Sequence, residues 1–170
     1  MLDAPRKLIT SFPPLSARNA TILILGSMPG VRSLAANEYY AHRQNAFWKI
    51  MGEIFGFNAH ESYAERCQQL LQHRIAVWDV LFTCEREGSL DTAISSATVN
   101  DFVTFFKNHP EIKRICFNGA AAEQYFQRHV MPVLKDTQFS YVRLPSTSPA
   151  HASLTLAEKT LAWKRGLLIG

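Results

Sequence analysis

Four short apolar runs, separated by stretches of helical periodicity, constrain this chain more than any other feature. They are Thr21–Leu25 (TILIL), Ile75–Val80 (IAVWDV), Arg114–Phe117 (RICF) and Phe139–Leu144 (FSYVRL). The first three are nearly continuous rather than alternating, which suits strands buried on both faces of a helix-covered parallel sheet. The segments between them carry the helices. Phe47, Trp48, Met51, Ile54 and Phe55 share one face of a helix over Ala46–Phe55. Ser62 with Glu65 is a capping box opening a helix over Ser62–His73, and Thr155 with Glu158 is a second, opening the C-terminal helix. Asn100 is expected to cap a helix over Asp101–Lys107, and Ala120–Val130 reads as helix with Pro132 just past its end. Strands alternating with helices predict an α/β fold, a three-layer α/β/α sandwich around a four-stranded parallel sheet. At 170 residues the expectation is a single domain over 1–170, with residues 1–20 as a lead-in segment.

Composition narrows the function classes. Hydrophobic residues make up 47% and charged residues 19%, enough for a packed core and inconsistent with a disordered chain. Lys plus Arg number 18 against 14 Asp plus Glu, a net charge of +4 that permits a polyanionic partner without requiring one. The three cysteines, Cys67, Cys84 and Cys116, are widely spaced and form no CxxC, which argues against a disulfide framework or a cysteine metal site. The histidines show no HxxxH or HExxH spacing. A metal site built on cysteines or histidines is therefore not expected. MLDAPRKLITSFPP is not followed by a signal-peptide apolar stretch, and no run approaches the ~18 apolar residues of a membrane span. The expectation is a cytoplasmic protein, with no membrane association and no obligate protein partner.

In open parallel sheets, ligands bind beyond the carboxyl ends of the strands. That singles out Gly26–Ser33, Leu81–Asp91, Asn118–Gly119 and Pro145–Ala152. Gly26-Ser27-Met28-Pro29-Gly30 is a tight turn whose N–H groups can face a ligand, or an ordinary strand-to-helix turn. It is neither a Walker loop nor a GxGxxG fingerprint. Tyr39-Tyr40-Ala41-His42-Arg43-Gln44-Asn45 brings aromatic, cationic and amide groups to a helix start. An aromatic face can stack on a flat base, and an amide both donates and accepts; the plainer reading makes the tyrosines core and Asn45 a helix cap. Asp79-Val80-Leu81-Phe82-Thr83-Cys84-Glu85-Arg86-Glu87-Gly88-Ser89-Leu90-Asp91 reads as a charged structural loop, with Ser89 or Asp91 near a helix start. Pro145-Ser146-Thr147-Ser148-Pro149 sets three hydroxyls between two prolines, suited to phosphate contacts or to a plain surface loop.

Together these segments are far more specific than any one alone. The GxxPG turn, YYAHRQNAFWK and the PSTSPA loop resemble the uracil-DNA glycosylase superfamily, and within it the hypoxanthine (deoxyinosine)-DNA glycosylase branch. WDVLFTCEREGSLDTAI and ICFNGAAAEQYF resemble that branch's middle blocks, so the likeness runs from about Thr21 to the C-terminal helix. It implies hydrolysis of the N-glycosidic bond of a deaminated base in DNA, without a cofactor, after the nucleotide is flipped out of the stack. It further implies that Gly26, Ser27 and Met28 wall the base pocket and that Tyr40 stacks on the base. Asn45 becomes the key polar residue, with His42 a candidate to stabilise the leaving group. Pro145, Ser146, Thr147, Ser148 and Pro149 are expected to hold the DNA backbone.

Two departures bear on activity. Most of the superfamily carries Asn, Asp or Glu where this chain has Met28, and a thioether cannot orient water in that way. The deoxyinosine branch lacks that residue too. His151 stands where the branch would place an asparagine. The alternatives are a uracil or mismatch-specific glycosylase and a non-catalytic module that binds damaged DNA; the iron–sulfur branches need four cysteines and are excluded.

Overall fold

A computed structural model describes residues 6–135 and 139–168; the first five residues of the expected lead-in lie outside them. The four expected strands form one parallel sheet. They are β2 (Ile22–Gly26), β3 (Ile75–Asp79), β6 (Arg114–Asn118) and β7 (Ser140–Leu144), in the order β3-β2-β6-β7. In register, Gly26 lies opposite Asp79 and Asn118 opposite Leu144, so the carboxyl ends of neighbouring strands finish level.

Alternation along each strand explains the three layers. Leu23, Leu25, Ala76, Trp78, Ile115 and Phe117 pack on one face against Phe102 and Phe105 of α4 (Phe102–Asn108) and Phe126 of α5 (Ala120–His129). Ile24, Ile75, Val77 and Cys116 point the other way. They pack with Phe47, Ile50 and Met51 of α2 (Phe47–Phe55), Leu70 of α3 (Tyr63–Gln72) and Trp163 of α6 (Leu156–Leu168). Strands apolar on both sides had to be covered on both sides. Both capping boxes form, at Ser62–Glu65 and Thr155–Glu158.

Two expectations are corrected. The residue capping α4 is Asp101, whose side chain accepts from the Thr104 N–H. Asn100 instead turns its amide onto the carbonyls of Asp79 and Leu81. The larger correction is a second, antiparallel sheet, β1 (Leu8–Thr10), β4 (Leu81–Glu85) and β5 (Ser95–Val99), in the order β1-β4-β5. Part of the lead-in and part of the supposed loop after Val80 are therefore strands. IAVWDVLFTC is one apolar run, and the chain leaves one sheet for the other at Val80 without a glycine or proline to mark it. A short helix, α1 (Val31–Ala36), follows the GSMPG turn. Among the described residues, no helix is long and apolar enough to cross a membrane.

Candidate active site

The carboxyl ends of the parallel strands open onto a cavity of about 290 Å³, at the small end of the range for small-molecule sites, roughly 300–1,000 Å³. Gly26 to Gly30, Tyr40, His42, Asn45 and Ser146 to Pro149 all line it, so the structure gathers segments far apart in sequence. Pro145 sits just behind this wall, its carbonyl accepting from the indole N–H of Trp163 at 2.9 Å. Asp79, Asp91 and Asn118 also line the cavity.

Gly26 ends β2, and its missing side chain sets the floor. A Cβ there would lie 2.5 Å from Asp79 Oδ1 and 3.2 Å from the Tyr40 hydroxyl. The turn beyond is held from outside. Arg86, only 5% exposed, donates to the Pro29 carbonyl at 2.6 Å, and the Ser27 hydroxyl donates to Asp91 at 2.5 Å. The Val31 N–H donates to Ser89 Oγ at 2.8 Å. Among the described residues the N–H groups of Ser27 and Met28 have no hydrogen-bond partner, which leaves both available to a ligand. Met28 is buried beside Leu81 and Cys84.

Tyr40 is backed by Phe47, ring stacked on ring with centroids 4.0 Å apart. Tyr40 lines the cavity and Phe47 does not, so Tyr40 is the member of the pair within reach of a ligand. Its backbone has φ +55°, a left-handed conformation costing roughly 1–3 kcal/mol for a bulky residue and typical of functional sites. Asn45 accepts from the Phe47 N–H at 3.0 Å through Oδ1, so it does stabilise the start of α2, and its Nδ2 remains free to donate. His42 is exposed, and its Nδ1 accepts from the Gln44 N–H at 3.1 Å, leaving Nε2 as the nitrogen that can donate.

The hydroxyl-rich loop is tied at several points. Asn118 bonds Thr147 twice, and the Ala46 N–H donates to the Thr147 carbonyl at 3.0 Å. Lys159, 6% exposed, donates to the His151 carbonyl at 2.6 Å. Thr147 is 1% exposed, so its side chain anchors the loop instead of reaching outward. Ser146 and Ser148 each accept from a backbone N–H two residues on, which leaves both hydroxyl hydrogens free to donate. Gly119, at φ +93°, lets Ser146 pack within 3.1 Å of where its Cβ would be.

Sequence reasoning singled out the segments that hold Asp79, Arg86, Asp91 and Asn118 but gave none of the four a role in the site, and it passed over Lys159. Asp79 and Asn118 did carry a signal, each being a polar residue closing a buried strand. Asp79 is 4% exposed. Burial, with the negative charge of Asp91 adding to it, raises its carboxyl to about 7, against the opposing pull of the Arg86 guanidinium. Burial, then the Asp79 charge, pushes the Tyr40 hydroxyl upward as well. Among the described residues no cluster of His, Cys, Asp or Glu is arranged to hold a metal ion.

Residues 13–168 match the uracil DNA glycosylase superfamily. The chain belongs to that superfamily. It is 36% identical to the hypoxanthine DNA glycosylase of Methanosarcina acetivorans over 141 residues, 82% of this chain and 86% of that protein. It is 35% identical to the hypoxanthine DNA glycosylase of Methanosarcina barkeri over the same coverage. Its fold is similar to the solution NMR structure of a candidate uracil DNA glycosylase from Methanosarcina acetivorans. The TM-score is 0.78 at 31% identity, over 94% of this chain and 98% of that one. In this member of the superfamily the cavity is lined by Met28 and by the polar side chains of Asn45, Asp79, Asp91 and Asn118.

Proposed function

We propose that this chain is a DNA glycosylase that hydrolyses the N-glycosidic bond of deoxyinosine in DNA, releasing hypoxanthine and leaving an abasic site. The observation that carries this reading is the base-sized cavity at the carboxyl ends of the sheet. It brings an aromatic stack, a free amide donor and the first-motif N–H groups together beside a hydroxyl-rich loop. Relatives named for hypoxanthine excision at 35% and 36% identity support the choice of base.

Breaking this bond builds positive charge on the sugar and negative charge on the departing base. Positioned dipoles can stabilise both without a strong base. The N–H groups of Ser27 and Met28 and the Asn45 Nδ2 serve as donors to the base or to the attacking water. Tyr40, backed by Phe47, stacks on the flipped base. Asp91, which lines the cavity and accepts from the Ser27 hydroxyl, is the acidic group offered to a cationic sugar. Ser146 and Ser148 donate to backbone phosphates from a loop that does not have to be ordered on binding. His42 Nε2 is the remaining donor near the leaving base. The reaction needs no added metal, and the protein acts in the cytoplasm on DNA carrying a deaminated base.

Oligonucleotides with one deoxyinosine, deoxyuridine or deoxyxanthosine, incubated in the presence of a chelator and then cleaved with alkali, test the reading. Strand scission is expected with deoxyinosine, and faster than with deoxyuridine. Binding to all three without scission would instead identify a damage-binding module, and preference for deoxyuridine a uracil or mismatch-type enzyme.

A further inference from the structure

Two large apolar side chains stand exposed at the mouth of the cavity. Leu90 is 59% exposed and Val31 51%, and both residues line the opening. Leu90 lies in the connection between β4 and β5, just ahead of a turn of 3-10 helix over Asp91–Ala93. Val31 begins α1, directly after the first-motif turn. Apolar side chains scattered singly over a surface need no explanation, whereas a pair on the rim of a binding cavity marks a contact.

The tip of a surface loop is ordinarily mobile, but Leu90 is fastened on both sides. Ser89, just before it, accepts from the Val31 N–H at 2.8 Å, and Asp91, just after it, accepts from the Ser27 hydroxyl. The Leu90 carbonyl accepts from the Ala93 N–H at 3.1 Å. Arg86, at the start of the same loop, donates to the Pro29 carbonyl. The loop is thus tied to the first-motif turn around Leu90, which holds this side chain at the cavity mouth before any ligand arrives. The loop after β7 has nothing comparable. It offers Ser146, Ser148, Pro149 and Ala150 to the cavity, with Thr147 turned inward. Among the described residues that line the cavity, Leu90 and Val31 are the large aliphatic side chains left exposed.

Resting on the glycosylase reading above, we propose that Leu90, with Val31 as its neighbour on the rim, is a wedge that enters the base stack of duplex DNA and holds the gap left by the flipped nucleotide. A nucleotide that leaves the duplex breaks its pair and uncovers the apolar faces of the bases above and below it. An aliphatic side chain inserted there covers those faces, buries its own exposed surface and blocks the return of the base. Leucine makes no hydrogen bond to any base, so the wedge works whatever the neighbouring sequence. Its tied loop gives up little freedom on insertion, which keeps the cost of binding low. A single strand has no pair to break and no gap to hold, so the wedge acts on duplex DNA alone.

The test compares single-turnover excision of hypoxanthine from duplex and single-stranded oligonucleotides of one sequence, for the parent, Leu90→Ala and Leu90→Met. The readout is the ratio of the duplex rate to the single-strand rate, which a general loss of folding does not move. Leu90→Ala is expected to lower that ratio about tenfold. Leu90→Met keeps an apolar side chain of similar volume and should hold the ratio within about twofold of the parent's. The same proteins are bound to a duplex in which a hydrolysis-resistant 2′-fluoro-arabino inosine lies beside 2-aminopurine, whose fluorescence rises when it unstacks. The parent and Leu90→Met should raise that fluorescence, and Leu90→Ala should raise it much less. A parent that excises no deaminated base from either form of DNA overturns the glycosylase reading, and the fluorescence change then decides the wedge separately. A parent that excises only from single strands, or a Leu90→Ala protein whose ratio or fluorescence equals the parent's, overturns the wedge.

Discussion

Asn118 and Thr147 are joined through both ends of one amide. Nδ2 donates to the Thr147 hydroxyl at 2.9 Å, and Oδ1 accepts from the Thr147 N–H at 2.9 Å. The end of β6 thereby fixes the loop that follows β7, and the pair is largely shielded from water. Asn118→Ala would leave a buried hydroxyl and a buried N–H unpaired, a loss of roughly 2–4 kcal/mol. Urea unfolding should show it as a lower midpoint with an unchanged m-value. The looser loop should weaken binding to deoxyinosine DNA more than it slows excision from bound DNA. An unchanged midpoint would mean that the loop holds itself.

Asn45→Ala separates two roles of one side chain. The Oδ1 bond to the Phe47 N–H is a helix-start contact, and losing it costs about 1 kcal/mol. The free Nδ2 is the proposed donor in the active site, and losing a positioned donor costs on the order of 10²-fold or more in rate. Excision of hypoxanthine should therefore collapse in a protein that still folds. Parent-like excision by folded Asn45→Ala would return Asn45 to a purely structural role.

How far the sequence was legible depended on whether a local pattern carried the feature. The four parallel strands and their two helix layers were readable because strands buried on both faces leave continuous apolar runs. The capping boxes were readable because Ser62–Glu65 and Thr155–Glu158 are chemistry at a fixed spacing. The antiparallel sheet was not. Leu81–Glu85 continues the run of β3 without punctuation, and Ser95–Val99 is polar and largely exposed. The cavity walls could be placed from the strand ends and the resemblance. Asp79 and Asp91 could not be weighed, because their interest lies in burial and mutual charge, which sequence spacing does not encode. Lys159 gave no signal, since nothing in a helix pattern marks a lysine turned inward onto a carbonyl.

Tyr40 joins the core to the cavity through its stack on Phe47. Tyr40→Ala should lose base stacking worth roughly 1–3 kcal/mol and also the packing against Phe47. Affinity for deoxyinosine DNA and thermal stability should fall together. Tyr40→Phe keeps the ring and removes a buried hydroxyl that has no partner, so its stability should equal or exceed the parent's. Tyr40→Ala with parent-like affinity would show that the base stacks elsewhere.

Grip on DNA should be salt-sensitive. Backbone contacts by cations release counterions, so log affinity should fall linearly with log salt. The net charge of +4 suggests a shallow slope. Ser146→Ala combined with Ser148→Ala removes two neutral donors and no cation. It should lower affinity at every salt concentration while leaving the slope unchanged. Affinity unaffected by salt would count against cationic backbone contacts, and affinity unaffected by the double substitution would remove the loop's hydroxyls from the interface.

Asp79 also makes a prediction about stability that needs no DNA. Its carboxyl rises from 3.8 to about 7 on folding, chiefly through burial. The native state therefore holds a proton that the unfolded chain has released throughout that interval. A raised folded value contributes its stability fully below the unfolded one and loses it as pH rises through the folded one. Between pH 4 and 7 the parent should thus lose stability relative to Asp79→Asn, which has no proton to give up at this position. Above pH 7 the difference should level off at a few kcal/mol, the scale of a shift of about three units at 1.36 kcal/mol each. Urea midpoints for both proteins, measured at half-unit steps from pH 4.5 to 8.5, give the difference directly while cancelling every other titrating group. A constant difference across that range would mean that Asp79 is as ionised in the folded protein as in water.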